Sequence, residues 1–215
     1  MERSGHLIFL RSENWRSYLR YYPITCLILL ANVVMHLVVL WNGGAQDARV
    51  LLKFGALLNT PPYSEELWRN VTSMFLHSGF DHLLFNCFAI LIFAPPLERW
   101  MGPSRYLLLY LLSGIVGNVL STAYYNSISQ PTLSVGASGA IYGIYGAFLY
   151  ISILQRQIID EASRKTLFVL LGIGIIFSFT RTEVNWMGHM GGLLGGFFIY
   201  GLIIRLLRLP RRNKS

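Results

Sequence analysis

A serine between glycines and a distant histidine are the two side chains whose types and surroundings raise the question of catalysis. Ser138 lies in the stretch SVGASGAIYGIYG and His189 in NWMGHMGG, and both stretches are otherwise mostly apolar or small. An imidazole can take the proton of a serine hydroxyl as the oxygen attacks a carbonyl carbon, and can then return it to the leaving amine. The pair therefore predicts acyl-transfer chemistry if the fold brings the two side chains together.

A second polar pair supplies hydrogen-bond donors. His82 and Asn86 are four residues apart in DHLLFN, so a helix would place them on one face. Their N–H groups suit the negative charge that develops on the carbonyl oxygen of a tetrahedral intermediate. Backbone N–H groups at the start of the helix that follows Ser138 would add to them, with the helix dipole in their favour.

No carboxylate is placed where it could complete a triad. A soluble Ser–His hydrolase often uses an acid to orient the imidazole. Asp81 is the one candidate, and its position at the start of an apolar segment predicts a helix N-cap instead. The residues therefore predict a dyad of Ser138 and His189, with Tyr142, one turn after the serine, supporting the His189 ring by contact.

The composition indicates a polytopic membrane protein. Of the 215 residues 53% are hydrophobic and 13% charged, with mean hydropathy +0.47, whereas soluble domains carry about 25% charged residues. The net charge of +8 does not predict nucleic-acid binding, because the basic residues lie between apolar segments and form no single patch. Cys26 and Cys87 both lie in apolar stretches and are interpreted as packing residues, so neither a metal nor a cofactor is expected.

Six apolar segments predict an all-α bundle of six transmembrane helices. A membrane-crossing helix needs about 20 apolar residues, so the second, fourth and fifth segments are short. The connection 42–80 contains LLKFGAL and SEELWRNVTSMFLH and is predicted to be partly helical. The six segments are 24–41, 82–97, 106–124, 139–154, 167–179 and 186–207, within a domain 24–207 flanked by a surface-lying tail 1–23 and a basic tail 208–215.

The basic residues also predict the orientation. With both termini inside, the inner segments hold 14 Lys and Arg residues and the outer segments hold four. The positive-inside rule therefore favours cytoplasmic termini. In this topology Ser138, His189, His82 and Asn86 all lie near the outer ends of their helices at similar depth, which favours one shared site because polar side chains in spans are costly.

Structural interpretations of the same residues remain open at this stage. Ser138 could belong to a small-residue packing stripe with Gly139, Gly143 and Gly146, and the spacing of Gly192 and Gly196 is that of a helix-packing motif. His82 and Asn86 could join helices, His36 and His77 are interpreted as structural, and Trp68 and Arg69 could anchor an interface. The competing functions are a non-proteolytic protein that binds transmembrane segments and a transporter or channel with a polar relay.

Taken together and in order, the motifs resemble those of the rhomboid intramembrane serine proteases over most of residues 24–207. Glu98 and Gly102, just beyond the second segment, belong to the resemblance. The matching motifs are WR (Trp68, Arg69), H-x4-H-x3-N (His77, His82, Asn86), GASG from Gly136 to Gly139 around Ser138, and GHMGGLLGG around His189. One departure from the family pattern is Gly188, because alanine commonly precedes the histidine.

The resemblance implies both a fold and an activity. It implies a six-helix bundle of the minimal bacterial type with a water-filled cavity open to the outer face, and cleavage of transmembrane protein substrates within the lipid bilayer. It also implies that Ser138 is the nucleophile and His189 the base, with His82, Asn86 and the Ser138 amide stabilising the oxyanion. Tyr142, Gly136, Trp68 and Arg69 would be supporting residues, and the fifth helix with the loop 179–186 would form a gate and cap. The oligomeric state stays open.

Overall fold

The computed structural model describes residues 8–9, 13–181 and 184–206, and this part of the chain is almost entirely helical. Two strands of two residues, β1 (Leu57–Leu58) and β2 (Leu133–Ser134), accompany the helices, with short 3₁₀ turns at Tyr63–Glu65 and Ser73–Phe75. The helices are α1 (Trp15–Tyr21), α2 (Pro23–Trp41), α3 (Ala48–Lys53), α4 (Arg69–Thr72), α5 (Phe80–Met101), α6 (Pro103–Ser127), α7 (Ser138–Leu154), α8 (Glu161–Thr180) and α9 (Trp186–Leu206).

The predicted polytopic, all-α membrane bundle is confirmed. By length and composition α2, α5, α6, α8 and α9 can each cross a membrane, and α7 is a shorter apolar helix of 17 residues. Two segments expected to be short are full-length helices, because α5 has 22 residues and α8 has 20. Both helices extend beyond the predicted apolar segments: α5 starts at Phe80 and continues past Leu97 to Met101, and α8 begins with a charged turn capped by Asp160.

A buried carboxylate joins α2 to α5. Glu98 accepts hydrogen bonds from the backbone N–H of Ile24 at 2.8 Å, and from the N–H and hydroxyl of Thr25 at 2.9 and 2.6 Å. Its charge therefore lies at the N-terminus of α2, where unpaired amides and the helix dipole stabilise an anion. The sequence placed Glu98 just beyond the second span, whereas the residue belongs to α5.

Helices α6, α7 and α9 form the centre of the bundle through backbone contact. A Cβ added to Gly192 would overlap the carbonyl group of Gly139, and one added to Gly196 would overlap that of Gly143. Gly146 lies just as close to the Leu193 carbonyl. The predicted packing stripe is confirmed, since only glycine permits helices to approach this closely.

The long connection between α2 and α5 is folded around one guanidinium group. Arg69 is buried, and its Nη1 donates to the carbonyl oxygens of Leu52 at 2.7 Å and Ala56 at 2.9 Å. The same group lies over the rings of Trp68 and Tyr63, at 4.4 and 4.7 Å from their centroids. These contacts link α3, α4 and the turn at Tyr63, so the predicted partly helical connection is confirmed.

This connection also reaches the segment that precedes α7. Strand β1 pairs antiparallel with β2, and the register places Leu57 opposite Ser134. Asn59 accepts a hydrogen bond from Thr132 N at 2.6 Å and donates to Gln130 O at 3.0 Å. The loop from α6 to Ser138 is therefore held by the first connection.

The N-terminal tail was expected to lie along the membrane surface, and its described part adds a core contact. Phe9 packs edge-on against Phe93 of α5 and Phe148 of α7, with ring centroids 5.0 and 5.4 Å apart. Residues 1–7, 10–12 and the predicted tail 208–215 lie outside the described residues.

Candidate active site

Ser138 is the first residue of α7, at the position the sequence predicted. The loop before it turns at Gly136, whose φ of +121° favours glycine, and whose N–H donates to Ser73 O at 2.9 Å. A Cβ at Gly136 would lie only 2.7 Å from the His82 ring. Glycine is therefore needed here both for the backbone conformation and for the approach of the serine loop to α5.

His189 meets Ser138 directly. It is the fourth residue of α9, and its Nε2 lies 2.8 Å from Ser138 Oγ. The ring is 8% exposed, while Ser138 is half-buried. A nucleophile and a base at hydrogen-bond distance, on two helices whose backbones are in contact, is the arrangement that acyl transfer requires.

Tyr142 covers one face of the His189 ring. The two rings are stacked, with centroids 4.3 Å apart and an interplanar angle of 11°. Tyr142 is 6% exposed and lies one turn after Ser138 on α7, so the contact fixes the plane of the imidazole. The ring contact that the sequence predicted is present.

A residue that the sequence analysis overlooked contacts the other nitrogen of His189. Ser178 Oγ of α8 lies 2.7 Å from His189 Nδ1 and 2.9 Å from the Tyr142 hydroxyl, and it donates to Gly174 O at 2.7 Å. Ser178 is 1% exposed. The available signal was a polar side chain inside an apolar span, the same rule that selected His82 and Asn86.

His82 and Asn86 lie on the side of α5 that faces the serine loop. His82 Nδ1 is 3.2 Å from Ser78 Oγ, which leaves Nε2 beside Gly136. Asn86 is buried, and its Nδ2 has no hydrogen-bond partner among the residues that the structure describes. A Cβ on Gly136 would lie 3.6 Å from that nitrogen, so both donors border the approach to Ser138.

Asn185, also overlooked, connects three elements just before α9. Its Oδ1 accepts from Gly188 N at 2.9 Å, which is N-cap geometry, and its backbone carbonyl accepts from His189 N at 3.2 Å. Its Nδ2 donates to Ser121 Oγ at 2.7 Å and Ser134 Oγ at 2.8 Å. The start of the histidine helix is thereby tied to α6 and to β2.

Trp68 and Arg69 lie away from the dyad and act through the first connection. Arg69 begins α4, which leads into the turn at Ser73 that binds Gly136 N. Asn118 of α6 donates to Ser73 Oγ at 3.0 Å and holds the same turn from the other side. A chain of contacts thus runs from the Arg69 cluster to the loop before Ser138.

The predicted N-cap role of Asp81 is wrong. Helix α5 begins after Gly79, and Asp81 is the second residue of its first turn, without a capping side-chain hydrogen bond. Gly79 is the N-cap residue, in an extended conformation with φ of 159°, and the helix starts two residues earlier than the apolar pattern suggested. Asp81 still favours the helix, because an acid in the first turn complements the helix dipole.

Sequence comparison gives the family to which this site belongs. A family model described as Rhomboid domain matches residues 64–206, which include α4 to α9 and all the candidate site residues. The chain belongs to the rhomboid family.

Two relatives from Bacillus subtilis (strain 168) carry rhomboid protease names. The rhomboid chain is 35% identical over 206 residues to the putative rhomboid protease YdcA, covering 92% of this chain and 97% of that protein. It is 36% identical over 174 residues to the rhomboid protease GluP, covering 81% of this chain and 33% of GluP. Rhomboid-like protease 3 of Toxoplasma gondii is 36% identical over 177 residues, which cover 79% of this chain and 65% of that protein.

Proposed function

We propose that the protein is an intramembrane serine endopeptidase in which Ser138 is the nucleophile and His189 the general base. The observation that carries this proposal is the 2.8 Å distance from His189 Nε2 to Ser138 Oγ. The pair lies in a rhomboid-family chain, and its relatives are named rhomboid proteases.

Acylation follows from this geometry. Ser138 Oγ attacks the carbonyl carbon of the scissile peptide bond while its proton passes to His189 Nε2. The tetrahedral intermediate collapses as the C–N bond breaks, and His189 gives the proton to the leaving amine. Water then attacks the ester, His189 accepts its proton, and the proton returns to Ser138 Oγ as the acid is released.

The oxyanion has three groups of donors within reach of the serine loop. Ser138 is the first residue of α7, so its own N–H and those of the next residues have no partner within the helix. Asn86 Nδ2 and His82 Nε2 lie on the opposite side of Gly136. If Ser78 donates to His82 Nδ1 across their 3.2 Å contact, the His82 proton is placed on Nε2, the nitrogen that faces the loop.

The substrate class follows from the surroundings of the dyad. Four helices long enough to span a bilayer, α5, α6, α8 and α9, pack against α7, so the scissile bond must reach Ser138 from within the membrane or its interface. We infer that the substrates are transmembrane segments of other proteins. The 14-to-4 distribution of basic residues supports cytoplasmic termini, with the dyad near the outer face. The two relatives from Bacillus subtilis favour a bacterial plasma membrane.

The test combines an active-site probe with cleavage of a transmembrane peptide in liposomes. A fluorophosphonate should label the wild type at Ser138, and S138A and H189A should lower cleavage about a thousandfold or more. Ser127→Ala is a matched control, because among the described residues its exposed hydroxyl bonds only to Tyr124 O of its own helix at 2.7 Å.

Two outcomes would contradict the proposal. One is cleavage that persists in S138A with labelling at another residue. The other is a folded wild type that retains intact transmembrane peptide without cleaving it, which would favour a binding function instead.

A further inference from the structure

We infer that Ser178 is a positioning residue that holds His189 in the tautomer able to accept the proton of Ser138. The inference rests on the proposed function and deepens it. It adds to the dyad a third group, which lies on α8 and occupies the place that a carboxylate has in soluble triads.

The hydrogen-bonding capacity of Ser178 determines the direction of each contact. A hydroxyl has one proton to donate and two lone pairs with which to accept. The Gly174 carbonyl can only accept, and it lies 2.7 Å from Ser178 Oγ, so the single proton of Ser178 is used there. The oxygen of Ser178 must then accept from its other two neighbours, the Tyr142 hydroxyl at 2.9 Å and His189 Nδ1 at 2.7 Å.

The consequence for His189 is a fixed tautomer. If Nδ1 carries the proton, then Nε2 presents a lone pair to Ser138 Oγ at 2.8 Å. The opposite tautomer would place a proton on Nε2, where it would donate to the nucleophile instead of accepting from it. It would also leave Ser178 without a donor on that side, although Ser178 is only 1% exposed.

The contacts of Ser178 and Tyr142 are complementary. The stacked Tyr142 ring, 4.3 Å from the imidazole, fixes the plane of His189 but does not select which nitrogen is protonated. Ser178 selects the proton position, and the hydroxyl of Tyr142 orients Ser178 in turn. A neutral acceptor also avoids the cost of a buried carboxylate at membrane depth.

The position of Ser178 on α8 makes the base dependent on the packing of that helix. In the most apolar 18-residue stretch of α8, 22% is buried inside the protein. The corresponding share is 56% for α9, which carries His189 itself. A shift of α8 away from α7 and α9 would leave Ser138 and His189 in place and remove the acceptor from Nδ1.

The test compares Ser178→Ala with a hydroxyl deletion on the same helix. Thr180→Ala is the control, because the Thr180 hydroxyl is exposed and bonds to Phe177 O of its own helix at 3.3 Å. On a transmembrane peptide, S178A should lower kcat about five- to tenfold with KM nearly unchanged, as expected for one neutral hydrogen bond. Ser178→Thr keeps the hydroxyl and should recover most of kcat, and Tyr142→Phe should cost less than S178A.

A spectroscopic measurement separates this role from a general effect on folding. ¹⁵N NMR of histidine-labelled protein should show His189 as the Nδ1–H tautomer in the wild type and as a mixture in S178A. Unchanged tautomer populations in S178A, or a kcat no lower than that of T180A, would overturn the inference. Failure of the probe to label Ser138 in the wild type would contradict the proposed protease function, whereas the tautomer measurement needs no turnover.

Discussion

Helix α9 contacts its neighbours in two different ways on its two sides. Toward α6 and α7 the contact is between backbones, with Gly192 and Gly196 lying against the carbonyl groups of Gly139 and Gly143. Toward α8 the contact is between side chains, through a small apolar cluster that includes Leu171 and through the hydroxyl of Ser178.

The difference separates two requirements of the proposed catalytic pair, Ser138 and His189. Backbone contact leaves no room for α7 and α9 to slide past each other. It therefore fixes the distance between the backbone positions of Ser138 and His189. The side-chain contact with α8 does not fix that distance, but it sets how the imidazole is oriented and protonated. Substitutions in the backbone contact with α6 and α7 should therefore disrupt the site itself. Substitutions in the side-chain contact with α8 should only lower the reaction rate.

Among substitutions outside the Ser138–His189 pair, the largest effect is expected from Gly196→Ala. The added methyl group overlaps the Gly143 carbonyl, so α7 and α9 must separate. Overpacking of this kind costs about 3 kcal/mol, and a displacement of about 1 Å at the dyad can lower the rate about a hundredfold. Thermal unfolding and the rate of fluorophosphonate labelling in detergent or liposomes measure the two effects.

Gly172→Ala on α8 is the matched control for that prediction. Among the described residues no heavy atom would lie within 4 Å of its added Cβ, and alanine is the better helix former. Its unfolding temperature should be equal or slightly higher, with normal labelling. Equal damage from the two alanine substitutions would show that the backbone contact has no special importance.

The backbone contact of α9 with α6 and α7 was largely predictable from the sequence. The glycine spacing in SVGASGAIYGIYG and GHMGGLLGG is periodic on a helix, so it indicates a packing face without any structure. The same segments contain Ser138 and His189 near their starts, and matching the directions of the spans was enough to place both at one depth.

Gly136→Ala is expected to have the second largest effect. It combines a φ of +121°, which costs a residue with a Cβ about 1–2 kcal/mol, with a Cβ 2.7 Å from the His82 ring. Displacing His82 and Asn86, the proposed oxyanion donors, should lower kcat by about one to two orders of magnitude, measured on a transmembrane peptide.

Gly44→Ala isolates the conformational part of that effect. Gly44 has a φ of +110°, but no described heavy atom would lie within 4 Å of an added Cβ. It should show a comparable loss of stability with normal kcat. A Gly136→Ala enzyme with the kcat of Gly44→Ala would argue against a role for the loop in placing His82.

Asn185→Ala should have an intermediate effect, because Asn185 caps α9 and joins it to the serine loop. Loss of the cap costs about 1 kcal/mol, and loss of the bonds to Ser121 and Ser134 should lower the labelling rate about tenfold. The Asn185→Ser side chain can still cap α9 but is too short to reach both Ser121 and Ser134. Compared with Asn185→Ala, it should therefore recover the unfolding temperature but not the labelling rate. Full recovery of both quantities in Asn185→Ser would show that Asn185 acts only as the helix cap.

The side-chain contacts of Ser178 and Asn185 were not predictable from the sequence in the same way. Ser178 lies in an apolar helix without a motif around it, and its partners His189 and Tyr142 are 11 and 36 residues away. Asn185 bonds to Ser121 and Ser134 across separations of 64 and 51 residues, and β1 and β2 are too short to show an alternating pattern. Such contacts depend on how whole helices are placed, which no local pattern encodes.

The smallest effect, and the sharpest test of the α8 side, is expected from Gly174→Ala. The added Cβ would lie 2.8 Å from the Tyr142 hydroxyl, so that oxygen must shift and its 2.9 Å contact with Ser178 is disturbed. Because the backbones of α7 and α9 are untouched, kcat should fall about threefold with KM unchanged, and Gly172→Ala should leave both constants as they are. Adding Tyr142→Phe removes the hydroxyl that clashes, so the double variant should be no slower than Tyr142→Phe alone. A double variant slower than Tyr142→Phe would mean that Gly174 acts on the dyad by a route other than Ser178, and that α8 contributes more than the orientation of His189.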